Sequence, residues 1–495
     1  LTVNGGTIVG DGSSGANTAT LTCNASTVSL GASVTSGWGL EVKRGGTFVG
    51  GTGEHTIGSL FNADHAHSII TLTSHANGTT LSSENAGVGP NGYALLLYSD
   101  GVFDEADGLV VFTGPSSDVY VSGHSLHNVT INSSGNSIAL QNGQTFTGNL
   151  TITAGTLTTR PAGTTENNAL TVTGDCVVTG TLTLNDSTVA VGALRAVSGA
   201  AITQGSSGTL ELTTGSNFGG SSSYSFKNED GTSDINLGGT LTQSAGTYFD
   251  PRTAPTYASV LNNVVGGAAA YWVGKVTIGG NFTVNAGDKW QTYGGSDSFI
   301  VDGDVTLNGT LQATAGYLAE GSTGEMKFGS LTINSGGKYT ATPLTTTITD
   351  EVSATDYSWL NSGGTFTHNN GKVLLTEDSN CKVKENAFYD FELNLNSATT
   401  DCDIEDASGN TITFYGDLTI TRGRMQTTTT TDEIIVHGNT YVAVTHATLW
   451  HDADQATNKI THHGLVTNLG TYKINDGTTV KMNGGIRQLG TLSID

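Results

Sequence analysis

One short phrase recurs along this 495-residue chain: a glycine, then Asn, Asp or Ser, then a strand-forming triplet that is most often apolar–Thr–apolar. The phrase begins at Gly148, Gly174, Gly280, Gly303, Gly329, Gly416 and Gly438. Neighbouring copies start 26 (148 to 174), 23 (280 to 303), 26 (303 to 329) and 22 (416 to 438) residues apart. A second phrase, Gly-Thr-Leu, begins at Gly155, Gly180, Gly208, Gly239, Gly309 and Gly490. A period in the twenties indicates a repeat architecture rather than an ordinary globular domain.

Each period holds two or three strands of four to six residues that end at Gly, Asn or Asp. The sequence therefore predicts an all-β fold, a parallel β-solenoid (β-helix) rod with coils of about 22–26 residues and inserted loops. Strands of successive coils would stack about 4.8 Å apart, each inward side chain on its equivalent in the next coil. We expect Gly and Asn at the corners, where a positive φ is needed.

Composition supports this fold class. Charged residues make up 13% of the chain, about half the usual share, and only 6 residues are proline, although 69 are glycine. Abundant Thr, Ser and Asn favour strands and turns over helices. A string of β-sandwiches would show a period of about 100 residues, so small β-sandwich or β-prism segments remain an alternative only for parts of the chain.

The regularity of the repeat varies along the chain and predicts six segments. These are 1–127, an irregular β region that is acidic and contains His; 128–247, regular solenoid repeats; 248–271, a loop or junction; 272–351, solenoid repeats; 352–410, a charged aromatic insertion or irregular β structure; and 411–495, solenoid repeats. Both ends of the sequence lie within strand-like segments, so we expect the chain to be a portion of a longer protein.

Net charge restricts the partners. The chain has 19 Lys and Arg against 43 Asp and Glu, a formal charge of −24. Nucleic-acid binders need a basic surface to neutralise phosphates, so no nucleic acid is expected. No apolar run approaches the roughly 18 residues of a membrane span, and no membrane insertion is expected.

The repeat segments resemble a known group of proteins. The stretches Asn128-Val-Thr-Ile-Asn-Ser-Ser-Gly-Asn and Gly148-Asn-Leu-Thr-Ile-Thr-Ala-Gly-Thr-Leu-Thr are similar to those of repeat-rich bacteriophage tail-fibre and virion fibre proteins, and also to those of large bacterial surface adhesins. The resemblance covers about residues 128–350 and 411–495.

The resemblance to phage fibres implies a structural, non-catalytic virion protein that serves in host attachment. Such a protein would form a homotrimer, contact other virion proteins and bind a host surface glycan or receptor. The resemblance to adhesins implies instead a protein secreted from a bacterium or held on its surface.

Aromatic residues mark the two breaks in the repeat and are the candidates for glycan contact. Tyr248 and Tyr257 lie in the first break, and Tyr357 and Trp359 lie in the second. Insertions in a solenoid tend to lie on one face and to form binding surfaces.

His65 and His67 are the candidate metal ligands. Residues two apart in a strand point to the same side, as two ligands of one metal must. Some phage fibres hold a buried metal with a His-x-His motif, which the resemblance would place here on a trimer axis. We otherwise expect no cofactor; Ca²⁺ bound by acidic clusters is an alternative.

A polysaccharide depolymerase of the tailspike type is the alternative function that involves catalysis. Glycosidases use two carboxylates a few ångströms apart, and Asp401 and Asp403 alternate so as to share one strand face. In a chain this acidic, carboxylates also cluster without a catalytic role, and no nucleophile motif is present. The sequence therefore predicts that the chain is not an enzyme.

Two of the four cysteines, Cys381 and Cys402, are separated by close to one coil. This spacing predicts that they stack in adjacent coils, either as a disulfide or as two reduced thiols.

Overall fold

The computed structural model describes most of the chain. The residues left undescribed are 13–17, 33–36, 63–66, 86–91, 106–107, 219–221, 230–232, 245–247, 251–259, 267–268, 273–274, 293–296, 314–323, 350–356, 378–379, 406–410, 428–432, 445, 452–458, 475–477 and 495. The described chain divides into two compact units, Leu1–Val260 and Leu261–Asp495.

The first unit is built from short strands. In chain order, strands β1 to β25 are Thr2–Val3, Thr7–Val9, Ala19–Thr22, Val28–Leu30, Leu40–Val42, Gly46–Gly51, His55–Ile57, Leu60–Asn62, Ile69–Thr73, Thr79–Leu81, Tyr93–Leu97, Val102–Asp104, Leu109–Phe112, Ser117–Val121, Asn128–Leu140, Gln144–Phe146, Leu150–Thr158, Leu170–Val178, Thr181–Asn185, Thr188–Ala196, Ala201–Gln204, Thr209–Leu212, Tyr224–Asn228, Asp234–Gln243 and Tyr248–Asp250.

The second unit has the same construction. In chain order, β26, which begins at the boundary, to β53 are Val260–Gly266, Ala269–Trp272, Lys275–Ile278, Phe282–Val284, Lys289–Thr292, Ser298–Leu307, Thr310–Gln312, Met326–Asn334, Lys338–Thr340, Thr345–Ile348, Trp359–Ser362, Thr365–Thr367, Lys372–Leu375, Cys381–Lys384, Ala387–Phe388, Asp390–Asn394, Asp401–Glu405, Thr411–Phe414, Leu418–Thr427, Glu433–Val436, Thr440–Val442, Ala447–His451, Lys459–His462, Val466–Asn468, Thr471–Ile474, Thr479–Met482, Ile486–Gln488 and Thr491–Ile494.

Each strand pairs in parallel with a strand one coil away, which confirms the predicted β-solenoid. In the first unit, for example, β3, β6, β9 and β12 form one face; in the second, β40, β43, β45, β48 and β51 form another. Coils lie about 24 residues apart. Individual steps vary: the step from Cys176 to its register partner Leu194 is shorter than this, and the step from Leu60 to Leu95 is longer.

Alternation along each strand separates the core from the surface. In β19 and β45 every second residue is buried, and the outward positions of β19 include Thr181 and Thr183. The inward residues stack: Val129, Leu150, Cys176, Leu194, Phe226 and Phe249 are successive register partners in the first unit, and all are buried. One coil alone could not bury this surface, but a stack of coils can.

The recurrent Gly-Asn/Asp phrase forms a corner in which two coils touch. The Asn128 Oδ1 accepts the Asn149 N–H at 2.9 Å, and the Asn149 Oδ1 accepts the Asp175 N–H at 2.8 Å. The second unit repeats the arrangement, where the Asp417 N–H donates to Asp390 Oδ1 at 2.7 Å. Each side chain thus satisfies a backbone donor of the following coil, which explains why an Asx residue follows the glycine.

The reason why a glycine opens each of the two recurrent phrases differs from our expectation. The prediction of a positive φ holds at Gly155 (φ 82) but at none of the other described glycines that open either phrase. Most of these glycines are needed instead because the backbone of the preceding coil is too close for a Cβ, and at Gly416 the Asp390 carboxylate is too close. At Gly438 a Cβ would collide with both the carbonyl carbon and the oxygen of Gly416.

We expect Gly438→Ala to lower the free energy of unfolding by about 1–3 kcal/mol, because the clash is with backbone and no side chain can move to relieve it. Denaturant unfolding followed by circular dichroism measures this. Gly143→Ala is the control, since its Cβ would meet only ordinary contacts from 3.7 Å outward. Equal stability of the two variants would contradict the explanation.

The predicted segments map onto the structure as follows. The boundary between the two units, at residues 260 and 261, lies within the predicted junction 248–271. Within residues 352–410, strands β36, β39 and β42 stack in register with one another and with neighbouring coils. Among the residues described, no helix is long and apolar enough to cross a membrane.

Candidate functional site

The first pair of predicted glycan residues lies only partly within the described chain. Tyr257 is outside the described residues. Tyr248, on β25, is half-buried, and its ring centroid lies 5.5 Å from that of Tyr224 in the adjacent coil. The Lys227 Nζ lies 5.1 Å from the centre of the Tyr224 ring. Together these side chains form a small patch of two aromatic rings and one ammonium group on the outer face of the first unit.

Tyr357 is tied into the outer surface of the second unit. It is half-buried, and its hydroxyl donates a 2.7 Å hydrogen bond to Glu405 Oε2. The Lys382 Nζ lies 5.9 Å from the centre of its ring. Burial, and then the hydrogen bond to Glu405, raise the pKa of Tyr357 to about 12. The phenol therefore stays protonated at neutral pH and acts as a hydrogen-bond donor.

Trp359 lies in the core. Its side chain is fully buried, and its ring centroid is 4.7 Å from that of Phe366 and 5.6 Å from that of Phe388. Its indole N–H donates to Glu385 Oε2 at 3.3 Å. An enclosed ring has no face open to a sugar, so Trp359 takes no part in the surface site proposed below.

Glu385 is a buried carboxylate that organises this part of the core. Besides Trp359, it accepts hydrogen bonds from the Asn361 side chain at 3.1 Å and from the Asn386 N–H at 2.8 Å. Burial raises the pKa of Glu385, and the hydrogen bonds oppose that rise. Because a buried carboxylate needs such donors, the cluster has a structural explanation.

The acidic strand β42 has the predicted alternation: Asp401, Asp403 and Glu405 lie on its outer side, and Cys402 and Ile404 are buried. Each of the three carboxylates has a partner in another coil. Asp401 accepts a 2.6 Å hydrogen bond from Arg424 and forms an ion pair with it; Asp403 accepts a hydrogen bond from Gln426; and Glu405 accepts one from Tyr357. The two carboxylates considered for glycoside hydrolysis are therefore held by neighbouring strands.

The candidate metal pair is only half described. His65 lies outside the described residues, and His67 is exposed, with its carbonyl oxygen accepting the Gly45 N–H at 3.2 Å. No group of three or more His, Cys, Asp or Glu side chains placed to hold a metal occurs in the described part of the chain.

The two predicted neighbours Cys381 and Cys402 are register partners on β39 and β42, so the predicted stacking is confirmed. Both are buried free thiols. Burial raises the pKa of each thiol, so little reactive thiolate is present at neutral pH.

A column of rings that we did not predict lies on the surface of the second unit. We call it the ring ladder; its members are His368, Tyr389, Tyr415, His437 and His463. Each member is the first residue after a strand (β37, β40, β43, β45 and β48, respectively), so each stands at a corner of the solenoid. His437 and His463 are exposed, and the Tyr415 side chain is 50% exposed.

The rings of the ladder stack on one another. The centroid distances are 5.6 Å between Tyr389 and His368, 5.4 Å between His368 and Tyr415, 5.7 Å between Tyr415 and His437, and 5.0 Å between His437 and His463. The last two pairs are almost parallel, with interplanar angles of 6° and 8°. Burial lowers the pKa of His368.

Backbone geometry fixes the position of the ladder. Tyr415, His437 and His463 each precede a corner glycine, Gly416, Gly438 and Gly464 respectively. The backbones of these glycines lie in contact from coil to coil. Consecutive corners are therefore as close as two strands, and the side chains just before them must stack.

A sequence signal for the ladder exists, although our sequence analysis missed it. The three rings that precede corner glycines, Tyr415, His437 and His463, follow one another at intervals of about one coil. The ladder becomes visible in the sequence only when residues one coil apart are compared, and neither a pair of His residues two apart nor the aromatic residues in the breaks of the repeat indicate it.

The ladder presents phenol and imidazole groups, which combine an apolar ring with hydrogen-bonding atoms. Comparison of the chain with protein-family models, curated proteins and solved structures gave no match. The candidate site is therefore defined by its geometry alone.

Proposed function

We propose that the chain is a structural, non-catalytic part of a virion fibre or spike and serves in host attachment. The observation that carries the proposal is the ring ladder, an ordered column of rings, three of them exposed, on a solenoid of stacked coils. A parallel β-solenoid of this type is compatible with a β-helix fibre protein. Its stiffness suits a protein that must hold a binding surface away from a particle.

The surroundings of the acidic strand support a non-catalytic role. A glycosidase needs one carboxyl group that can donate a proton and a second that can act as base or nucleophile. Here Asp401 is paired with Arg424, and Asp403 is bonded to Gln426. These contacts join neighbouring coils, which is a structural use of the carboxylates.

Binding and cleavage can be tested together. We expect the purified chain to be retained on host cells and on their isolated surface polysaccharide without releasing reducing ends. Release of reducing ends that is lost in Asp403→Asn would establish the depolymerase instead. Failure to bind both cells and polysaccharide would contradict attachment.

The assembly is part of the same proposal. We expect a homotrimer, so mass spectrometry under native conditions should give three times the 50.8 kDa of the chain. A monomer at micromolar concentration would contradict the trimer. Antibody labelling of virions, with labelling of the bacterial surface as the other outcome, distinguishes a phage fibre from an adhesin.

A further inference from the structure

We propose that the ring ladder binds an extended, uncharged polysaccharide whose chain lies along the direction in which the coils stack. This inference rests on the proposed attachment function and names the surface and the class of ligand.

The chemistry of the rings favours a sugar. A sugar ring has apolar C–H faces and a rim of hydroxyl groups, so it is bound by side chains that offer both an aromatic surface and hydrogen-bonding atoms. Tyr415, His437 and His463 have this character and are the exposed members of the ladder. Because these rings stack almost parallel to one another, a ligand lying along the column would meet their edges, with the phenol and imidazole hydrogen-bonding atoms, rather than open ring faces. Stacking from coil to coil holds them in place, so little side-chain entropy remains to be lost on binding.

The spacing favours an extended chain. Neighbouring rings lie 5.0–5.7 Å apart between Tyr389 and His463, which is close to the length of one sugar unit in an extended polysaccharide. A glycan aligned with the stack would meet one ring per unit. Individually weak contacts would then add up, as in multivalent binding.

The charges favour an uncharged ligand. The chain has a formal charge of −24, and the corners beside the ladder carry Asp390 and Asp417. Of the nearby cations, Lys459 is paired with Glu433, and Lys481 lies on the adjacent strand β51. A polyanion such as alginate would be repelled by this field.

The test compares a ladder variant with a matched control. The ladder variant is the full chain with Tyr415→Thr and His437→Thr, since Thr suits strand ends and removes only the rings. The control is Tyr441→Thr, because Tyr441 is 38% exposed on β46 and is not a member of the ladder. The probes are soluble dextran, mixed-linkage β-glucan and galactomannan, with alginate as the charged probe.

We expect the unaltered chain to bind at least one uncharged probe, with affinity that rises with oligosaccharide length, and not to bind alginate. The ladder variant should lose about tenfold or more in affinity, and Tyr441→Thr should stay within about twofold. Native mass and unfolding midpoint are measured for both variants.

A second measurement needs no variant. Diethyl pyrocarbonate modifies exposed imidazoles, and the bound probe should protect His437 and His463. The exposed His67 of the first unit should react equally with and without the probe. Equal reactivity of His437 and His463 in the two conditions would overturn the inference.

The remaining outcomes separate the inference from the proposed function. If the ladder variant binds the probe as tightly as the unaltered chain, attachment stands and the ladder is not the site. If the unaltered chain binds alginate alone, the proposed class of ligand is wrong. If the ladder variant has a changed oligomeric state, the ladder is a contact between chains and the inference is overturned. If the unaltered chain binds neither probes nor host cells, the proposed attachment function fails as well.

Discussion

Replacing Trp359 with alanine is expected to lower the free energy of unfolding by about 3–5 kcal/mol, the usual cost of removing a large buried aromatic side chain. Trp359 has no exposed surface and lies among the rings of Tyr339, Phe366 and Phe388. Its loss would leave a cavity between coils and remove one hydrogen-bond donor from the buried Glu385.

Denaturant unfolding followed by circular dichroism measures this effect. The control is Tyr441→Ala, which removes a partly exposed ring from the same unit and should change stability by no more than about 0.5 kcal/mol. A Trp359→Ala chain as stable as the control would contradict the placement of this residue in the core.

Acid is expected to destabilise the second unit through one buried histidine. His462 is buried between Thr440 Oγ1, 2.7 Å from its Nδ1, and the Tyr472 hydroxyl, 3.0 Å from its Nε2. Burial lowers the pKa of His462 from 6.5 to about 4. The folded protein therefore binds no proton at this site at a pH where the unfolded chain already does.

The direction of the effect follows from proton linkage. Well above pH 6.5 the ring is neutral in both states and stability does not depend on it. As the pH falls from 6.5 towards 4, only the unfolded chain takes up the proton, so stability is lost, by about 3 kcal/mol at the end of this range.

His462→Gln isolates the contribution of this residue, because Gln can form hydrogen bonds but does not titrate. Other groups, including Glu385, titrate in both proteins, so their contributions cancel in the difference between the two free energies of unfolding. The free energy of unfolding of the variant should gain about 2 kcal/mol relative to the unaltered chain between about pH 7 and pH 5. A difference that stays constant over this range would show that His462 does not titrate as described.

The fold could be predicted from the sequence because each coil of the solenoid must meet the same physical requirements, so the same residue pattern recurs. Gly-Asx corners recur about once per coil, strands such as β45 alternate in burial, and the spacing of Cys381 and Cys402 equals one coil. Each of these signals is local or depends on one period, so it can be found without tertiary information.

The role of the corner glycines was harder to predict. A glycine that avoids a clash and one that adopts a positive φ look the same in the sequence. Gly438 is of the first kind, whereas Gly155 combines a positive φ with close contact to the backbone of Ser133 in the preceding coil. Only the backbone conformation in the folded chain distinguishes them.

The candidate site could not be assembled from the sequence for a related reason. Coils differ in length, so the sequence distance between register partners varies. Cys176 and Leu194 are separated by less than one average period, and Leu60 and Leu95 by more than one.

The same variation in coil length makes the positions of individual residues hard to predict from the sequence. Trp359 lies in a charged, less repetitive stretch that suggested exposure, yet it is an inward strand residue. Tyr415 and His437 can be recognised as parts of one site only from the strand register that stacks their rings.

Cryo-electron microscopy of the protein with the uncharged polysaccharide that it binds would show directly whether this solenoid holds an intact polysaccharide on its ring ladder. We expect continuous density for an uncleaved sugar chain along Tyr415, His437 and His463. Sugar density beside Asp401 and Asp403 with a broken chain, or density that avoids the ladder, would contradict it.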